Sequence, residues 1–363
     1  MAPFAGWEMP IQYPAGPIEE HRLVRRSAGL FDTSHMGRFR VYGPGSTQLL
    51  DRLLTARLSD LSVGFSRYSL LLREDGGVLD DLFVYRLGEE EWFIVVNASN
   101  TEKDFAWFQQ WAAKEGPVQL ENLSFRFGMI AFQGPKALEL LTQITTNEKG
   151  DRWTPPERFG WSWVWIANHS DLSTRVRCLV GRTGYTGEDG VEIFPPWDRT
   201  PLVWESILSS AQKLGIEAGP AGLAARDSLR FEPGFALYGH ELSEDITPVE
   251  ASLLWACDLE KPFVGREAVL RRKEKGPKEK LVTFVMEEQA VPRAGYAVTD
   301  EGGNTVGKVV TGLYAPTIDA FAGNAFVPTD LAISGKTLYI VVRGARKKAR
   351  VVKRPLYKPA YRT

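Results

Sequence analysis

Two neighbouring aspartates, Asp80 and Asp81, lie inside a strongly apolar stretch of the sequence. They follow a glycine turn at Gly76-Gly77 and precede the run Leu82-Phe83-Val84-Tyr85. Aspartate is depleted in strands, and strand alternation places two adjacent side chains on opposite faces. Both faces are apolar here, so alternation alone does not select one of the two acids. The pair indicates either one acid facing a functional pocket or a turn cap plus one buried structural acid.

A glycine-rich segment, Arg182-Thr183-Gly184-Tyr185-Thr186-Gly187-Glu188-Asp189-Gly190, is the second candidate. It contains neither GxGxxG after a strand nor Gly-Lys-Ser/Thr, which argues against a dinucleotide fingerprint and a P-loop. A tight turn between strands is the simplest interpretation, but the segment is unusually dense in polar side chains for a turn. Glu192 follows in an apolar strand, where a buried carboxylate needs a partner. Such a carboxylate can accept two parallel hydrogen bonds from the edge of a pterin or a guanine.

Arg226 and Arg230 lie four residues apart in a stretch, residues 221–230, that is typical of a helix. Residues at this spacing share a helix face. The pair predicts either a solvated basic face or a clamp on a substrate carboxylate, for which the planar guanidinium is suited.

The histidines and cysteines give no metal signature. His21, His35, His169 and His240 lack metal-ligand spacing, and Cys178 and Cys257 form no CxxC pair. We therefore expect structural roles for the histidines and no metal site. Met36, next to His35, is either a packing residue or a contact to a planar ligand.

The composition is that of an ordinary globular protein. The 363 residues are 44% hydrophobic and 25% charged, and 44 Lys and Arg against 45 Asp and Glu leave a net charge of -1. Nothing in this balance attracts nucleic acid or an anionic membrane. Without an export signal, a long apolar run or a disulfide framework, the expected compartment is the cytoplasm.

The elements that must position these residues follow from periodicity. The sequence predicts a helix from Pro17, a half-buried strand around Phe39 and Val41, a leucine-faced helix over 44–54, and strands near 66–73, 78–87 and 92–97. Ser99 and Glu102 have the spacing of a capping box ahead of a helix with Phe105, Phe108 and Trp111 on one side. The second half predicts strands at 126–132 and 161–165, helices from Pro135 and near 200–214, a charged boundary at 271–280, and a small antiparallel barrel at the end.

Taken together, these segments resemble the aminomethyltransferase family, the T-protein of the glycine cleavage system. The resemblance runs essentially end to end, and Arg-Thr-Gly-Tyr-Thr-Gly-Glu-Asp-Gly is a specific string. Family members usually carry a further segment ahead of the Phe-Ala-Gly-Trp motif, whereas this sequence begins almost on the motif, a departure that touches no predicted site residue. The matching stretches are residues 4–10, 29–37, 80–81, 95–98, 182–190, 222–230, 237–239 and 247–250.

The resemblance implies an α+β fold with three domains in a cloverleaf around a folate-binding central channel. A split, partly ferredoxin-like domain (residues 1–38 and 121–270) would carry an inserted α+β domain (39–120), followed by a C-terminal antiparallel β-barrel (278–363). The family reaction moves a methylene group from an aminomethyl group on the dihydrolipoyl arm of H-protein to tetrahydrofolate, releasing ammonia. Lipoylated H-protein would be the direct partner, with the P- and L-proteins of the same system as indirect ones.

Residue by residue, the resemblance makes Asp81 the catalytic acid near the folate nitrogens and leaves Asp80 as its structural neighbour. Glu192 resembles the acceptor for the pterin edge, and Trp255 resembles a residue lining the cavity. The other contacts that the resemblance implies are Met36, Tyr68, Asn97, Tyr185 and Arg226.

Three alternatives follow from the same residues. Another folate-dependent demethylase or one-carbon transferase on this fold is the nearest. A folate-binding protein of iron–sulfur cluster maintenance would need a cysteine in a Lys-Gly-Cys motif, and the corresponding stretch, residues 261–267, has none. A basic cluster near the C-terminus is either a solvated hairpin or a docking face for an acidic H-protein; it comprises Arg343, Arg346, Lys347, Lys348, Arg350, Lys353 and Arg354.

Overall fold

The structure, a computed structural model, describes residues 1–168 and 171–359; His169 lies outside the described residues. The helices in these ranges are α1 (Pro17–Arg26), α2 (Ser46–Leu53), α3 (Thr101–Glu115), α4 (Ala137–Ile144), α5 (Thr200–Leu214), α6 (Leu223–Phe231) and α7 (Arg266–Lys275). None of these helices is both long and apolar enough to cross a bilayer.

The strands fall into a small N-terminal hairpin, two larger sheets and a barrel. In chain order they are β1 (Ala2–Phe4), β2 (Trp7–Met9), β3 (Ala28–Asp32), β4 (Gly37–Tyr42), β5 (Ser66–Leu72), β6 (Val78–Gly88), β7 (Glu91–Val96), β8 (Gln119–Asn122), β9 (Ile130–Gln133), β10 (Thr145–Asn147), β11 (Trp161–Asn168), β12 (Asp171–Gly181), β13 (Gly190–Phe194), β14 (Ala218–Pro220), β15 (Glu279–Met286), β16 (Ala297–Thr299), β17 (Thr305–Ala315), β18 (Ala320–Pro328), β19 (Thr337–Val342) and β20 (Ala345–Val352).

The five-stranded sheet has the order β5-β6-β7-β4-β8 and is antiparallel throughout. One face packs against α2 and α3, where Trp92, Ile94 and Phe108 share one core. The other face places Phe93 and Val95 in a second core with Leu179 and Phe194 of the next sheet. Both faces of β7 are therefore covered, which explains its unbroken apolar sequence.

The seven-stranded sheet has the order β10-β11-β12-β13-β9-β3-β14, with only the β3–β14 pair parallel. Helices α4 and α5 cover one face through Leu140, Ile144, Val203 and Ile207. This sheet carries the glycine-rich segment as its β12–β13 connection, so the simple interpretation as an inter-strand turn is correct about its place in the fold.

The C-terminal strands form a closed antiparallel barrel in the order β15-β18-β17-β16-β19-β20, with β20 returning to β15. Phe284, Val309 and Ile340 are among its buried residues. The predicted α+β class with a C-terminal barrel is thus confirmed.

The charged stretch at 271–280 contains the end of α7 at Lys275, and the chain breaks at Gly276-Pro277 before β15. Two local predictions were wrong. Ser99 lies in a short 3-10 turn, Ala98–Asn100, and α3 starts at Thr101 without a side-chain cap. Strand β9 starts at Ile130 rather than 126.

The basic cluster near the C-terminus is less free than its sequence indicates. On β20, Lys347 pairs with Glu288 at 2.9 Å, and Lys348 pairs with Glu287 at 3.2 Å. Arg350 donates to Glu287 at 2.6 Å. Glu287 and Glu288 follow β15 and are about sixty residues away in sequence. The sequence around the basic cluster therefore does not reveal these partners.

Candidate functional site

The two aspartates of β6 face different cores. Asp80 shares its face with Leu82 and Val84, which pack on the helix side of the five-stranded sheet, and it is fully buried. Asp81 shares its face with Phe83 and Tyr85, which pack toward the seven-stranded sheet. Asp81 is half-buried. The predicted opposition of the two side chains is present, and only Asp81 is directed between the sheets.

Asn97, the residue after β7, joins the two acids. Its Nδ2 donates to Oδ1 of Asp80 at 2.8 Å and to Oδ1 of Asp81 at 2.9 Å. Its backbone N–H donates to Oδ2 of Asp80 at 2.9 Å. Because one amide group contacts both carboxylates, their relative orientation is fixed by a neighbouring strand end and not by β6 alone.

Tyr68, on the adjacent strand β5, holds the other oxygen of Asp81. Its hydroxyl donates to Oδ2 of Asp81 at 3.0 Å. Trp255 stacks on the Tyr68 ring with the centroids 5.4 Å apart, and the indole is 71% exposed. One face of the Tyr68 ring is therefore covered by the Trp255 indole, which itself remains accessible to solvent.

The surroundings of Asp81 shift its pKa toward neutral pH. Burial and the charge of Asp80 raise the pKa of Asp81 to about 7, while the hydrogen bonds from Tyr68 and Asn97 oppose this shift. A carboxyl group with such a pKa exchanges protons near neutral pH, and its ionised form is favoured further when positive charge develops beside it.

Glu192, on β13, is the second buried acid of the site. Its Oε2 accepts hydrogen bonds from the Thr183 hydroxyl at 2.6 Å and the Tyr85 hydroxyl at 3.1 Å. Burial raises the pKa of Glu192, whereas Thr183, the charge of Arg226 and Tyr85 lower it. Both donors contact the same oxygen, so they hold the carboxylate from one side.

The close approach of Tyr85 to Glu192 depends on Gly181. Gly181 lies directly opposite Glu192 in the β12–β13 register. A Cβ at Gly181 would lie 2.5 Å from the Tyr85 ring, far inside van der Waals contact. Tyr85 thus occupies the space that a side chain would take.

The glycine-rich segment is closed by an ion pair at its ends. Arg182 donates through Nε and Nη2 to the two carboxylate oxygens of Asp189 at 3.1 and 2.6 Å. Within this closed loop, Tyr185 donates its hydroxyl to the carbonyl of Ala236 and stacks on Phe235 at 5.9 Å. The polar residues noted in the sequence therefore both shape the loop and supply a site residue.

Arg226 and Arg230 of α6 have different environments. The Arg226 guanidinium lies 4.8 Å from the centroid of the Tyr185 ring, and the group also interacts with Glu192. Arg230 is fully buried and pairs with Glu241 at 2.8 Å. A solvated basic face is thus the wrong interpretation for Arg230. Arg226 is half-buried beside Tyr185 and Glu192.

His35 and Met36 line the same region. His35 is buried with its ring edge-on to Phe4 at 5.4 Å, and burial together with the charges of Arg226 and Arg38 lowers its pKa to about 3. It is therefore neutral at physiological pH. Met36 packs in the core that contains Phe83 and Tyr85.

The residues predicted as site residues come together around Asp81 and Glu192. Tyr185 interacts electrostatically with both Asp81 and Arg226, which links the two halves of the arrangement. Tyr85 and Thr183 were missed, although Tyr85 shares the alternation face of Asp81 and Thr183 lies in the glycine-rich string. In the described ranges, no cluster of three His, Cys, Asp or Glu side chains has the arrangement of a metal site.

Comparison with known proteins identifies the family. Residues 1–261 match the family model described as the GCVT N-terminal domain, and residues 279–358 match the glycine cleavage T-protein C-terminal barrel domain. An aminomethyltransferase from Symbiobacterium thermophilum is 42% identical over 100% of this chain and 94% of its own length. One from Bacillus subtilis is 40% identical over 98% of this chain and 94% of its own length.

A solved structure agrees with these sequence matches. The glycine cleavage system aminomethyltransferase T from Bartonella henselae has a TM-score of 0.87 at 33% identity, covering 99% of this chain and 94% of that one. The chain therefore belongs to the glycine cleavage T-protein family, the aminomethyltransferases.

Proposed function

We propose that the protein transfers the methylene of an aminomethyl group from the dihydrolipoyl arm of H-protein to tetrahydrofolate. In this reaction the methylene carbon leaves the aminomethyl nitrogen and the lipoyl sulfur and forms bonds to two folate nitrogens. The nitrogen is released as ammonia, and the sulfur returns as the thiol of the reduced arm. Membership of the family supports this reaction.

The observation that carries the proposal is the carboxylate of Asp81, held between Tyr68 and Asn97 with a pKa of about 7. A fixed carboxylate of this kind stabilises positive charge that develops on the methylene carbon as ammonia departs. Electrostatic stabilisation from preorganised groups is usually the largest catalytic contribution. Tyr68 and Asn97 would keep the carboxylate oriented, and Asp81 would also position the folate nitrogens.

Glu192 is proposed to accept hydrogen bonds from the N–H and NH2 edge of the pterin ring. Thr183 and Tyr85 both donate to its Oε2, which would hold the carboxylate in the plane needed for two parallel hydrogen bonds. Met36, Tyr185 and Trp255 would supply flat or polarizable surfaces beside the rings, and Arg226 would contact the folate.

The domain division is proposed on the same basis: residues 1–38 with 121–270, the insert 39–120, and the barrel 278–363. The five-stranded sheet supports an inserted unit, since its strands run from Gly37 to Asn122. Lipoylated H-protein would bring its arm into the channel from solvent, and we place the reaction in the cytoplasm.

The direct test is incubation of the purified protein with aminomethylated H-protein and tetrahydrofolate. We expect ammonia release that depends on both substrates. The same protein with N-, O- or S-methylated small molecules and tetrahydrofolate should form no demethylated product. Absence of ammonia with an H-protein that a characterised T-protein accepts would refute the proposal, and methyl transfer from a small molecule would favour the demethylase.

A further inference from the structure

Asp104, in the first turn of α3, has an environment that an ionised carboxylate does not tolerate. The side chain is completely buried. Neither of its carboxyl oxygens meets an N–H or O–H donor among residues 1–168 and 171–359. Burying an ionised carboxylate without hydrogen bonds is so costly that the group takes up a proton instead.

The carboxylate of Asp80 lies within hydrogen-bonding reach of Asp104. Two carboxylates in contact cannot both be ionised at moderate cost, so the pair holds a proton. Asp80 receives three N–H donors: two from Asn97, at 2.9 and 2.8 Å, and one from Asn100 at 2.6 Å. These donors stabilise negative charge on Asp80, and the asymmetry assigns the proton to Asp104.

We propose that Asp104 is a positioning residue that stays protonated at neutral pH and donates its hydroxyl hydrogen to Asp80. Asp80 is then the charged anchor of Asn97, and Asn97 in turn orients Asp81 through its Nδ2. The catalytic consequence rests on the proposed function, because it acts on the transfer step assigned to Asp81. The assignment of the proton to Asp104 is independent of the proposed function.

The surrounding charges are consistent with a neutral Asp104. Burial and the neighbouring Asp80 raise the pKa of Asp104 well above its ordinary value; Lys103 lowers it and Asp81 raises it. Lys103 is directed elsewhere, since its Nζ donates to the Leu79 carbonyl and the Tyr238 hydroxyl and pairs with Glu244 at 3.1 Å. The phenols of Tyr68, Tyr185 and Tyr238 also lie within electrostatic range of the Asp80–Asp81 pair.

Infrared difference spectroscopy on the full chain locates the proton without using activity. At about pH 8.5, far above the usual range of aspartate pKa values, the unaltered protein should show the carbonyl band of a protonated carboxyl group. Asp104→Asn should lose this band. Glu102→Gln, which alters an exposed carboxylate in the same helical turn, should retain it.

Kinetics then separate positioning from folding. Asp104→Asn keeps a neutral N–H donor toward Asp80, so its kcat should stay within about twofold of the unaltered enzyme. Asp104→Leu removes the donor and should lower kcat roughly tenfold, as for loss of a hydrogen bond to a charged group. The dissociation constant for tetrahydrofolate should change by less than about threefold in both.

A carboxyl band of unchanged intensity in Asp104→Asn would overturn the proposal, as would equal losses of kcat in the Asn and Leu variants or no loss in either. If Asp104→Leu does not fold, the infrared comparison of Asp104→Asn with Glu102→Gln still decides the location of the proton. Failure of the unaltered enzyme to release ammonia would refute the proposed function, and the infrared result would still stand for or against a protonated Asp104.

Discussion

The hydroxyl of Tyr85 donates a 3.1 Å hydrogen bond to Oε2 of Glu192, and this bond joins the five-stranded sheet to the seven-stranded sheet. Tyr85 is four residues beyond Asp81 on the same face of β6. Strand β6 therefore carries both Asp81 and a side chain that contacts Glu192.

Glu192→Gln should weaken tetrahydrofolate binding more than it affects transfer from bound folate. The amide offers one acceptor in place of two, and the loss of a hydrogen bond to a charged group corresponds to roughly ten- to hundredfold in affinity. Calorimetric titration measures the dissociation constant. Glu205→Gln, at an exposed position on α5, is the control and should bind normally; unchanged binding in Glu192→Gln would remove this residue from the pterin site.

Asp81→Asn should retain folate binding and lose transfer. Removing one preorganised charged group from the reacting centre is expected to lower kcat about 100-fold or more, while Tyr68 and Asn97 keep hydrogen-bonding partners. Single-turnover ammonia release and folate titration on the same preparation separate the two effects. Loss of binding without a specific effect on transfer would reassign Asp81 to a structural role.

The rate of transfer should depend on pH through Asp81. Its pKa is raised to about 7 by burial and by Asp80, so the carboxyl is protonated below this pH and kcat should fall as the pH is lowered through about 7.

The raised pKa of Asp81 also makes the stability of the protein depend on pH, in the opposite direction. A raised pKa means that the contribution of Asp81 to stability is present below its unfolded value of 3.8 and is lost as the pH rises through about 7.

Asp81→Asn should therefore raise the midpoint of thermal unfolding at about pH 8 more than at about pH 5. Differential scanning calorimetry at the two pH values measures this difference. A variant that is equally or more stabilised at the lower pH would contradict the assigned pKa.

Glu232 should be a major contributor to stability at the junction between α1, α6 and the barrel. It is fully buried and accepts hydrogen bonds from Arg25 at 2.8 Å and from the backbone N–H of Thr317 at 2.8 Å, with His21 at 3.3 Å. Glu232→Gln should lower the free energy of unfolding by about 2 kcal/mol, because it removes one of the two carboxylates, Glu188 and Glu232, that pair with Arg25. Glu217→Gln is the control: Glu217 pairs with Arg26 of α1, but its side chain is 58% exposed. This substitution should lower the free energy of unfolding by less than about 1 kcal/mol.

The pH dependence of this junction follows from the same contacts. Burial alone would raise the pKa of Glu232, but His21, Arg25 and Thr317 lower it to about 2. The stabilisation is therefore present above the ordinary glutamate value of 4.5 and is lost as the pH falls through about 2. The difference between Glu232→Gln and the unaltered protein in urea unfolding should shrink as the pH is lowered from 6 toward 3.

Charge reversal at Lys347 and Lys348 should have little effect on the KM for H-protein. Both lysines already pair with Glu287 and Glu288, which reduces the field that they present to an acidic partner. KM measured over a range of salt concentrations provides the test. A large rise in KM together with a weaker salt dependence would instead identify this hairpin as a docking face.

Much of the fold could be predicted from periodicity, because strands such as β5, β6 and β7 and helices such as α5 have clear alternation or amphipathic spacing. The roles of the two aspartates could not, since their distinction lies in which core each face of β6 meets. Arg230 resembled a surface residue because one partner, Thr311, is 81 positions away on the barrel. Asp104 gave no signal either: its neighbours Glu102 and Lys103 are charged, and only the tertiary fold turns its side chain inward against Asp80.

Gly181 is a spacer whose small size lets the Tyr85 ring reach the strand that carries Glu192. Because the Tyr85 ring rests where a side chain at 181 would lie, even one added methyl group would force the ring to shift. Reactions that depend on positioning lose about two orders of magnitude for a displacement near 1 Å. A residue without a functional group thus limits how closely the two sheets can approach, and a substitution at 181 would disturb the Tyr85–Glu192 contact without changing either side chain.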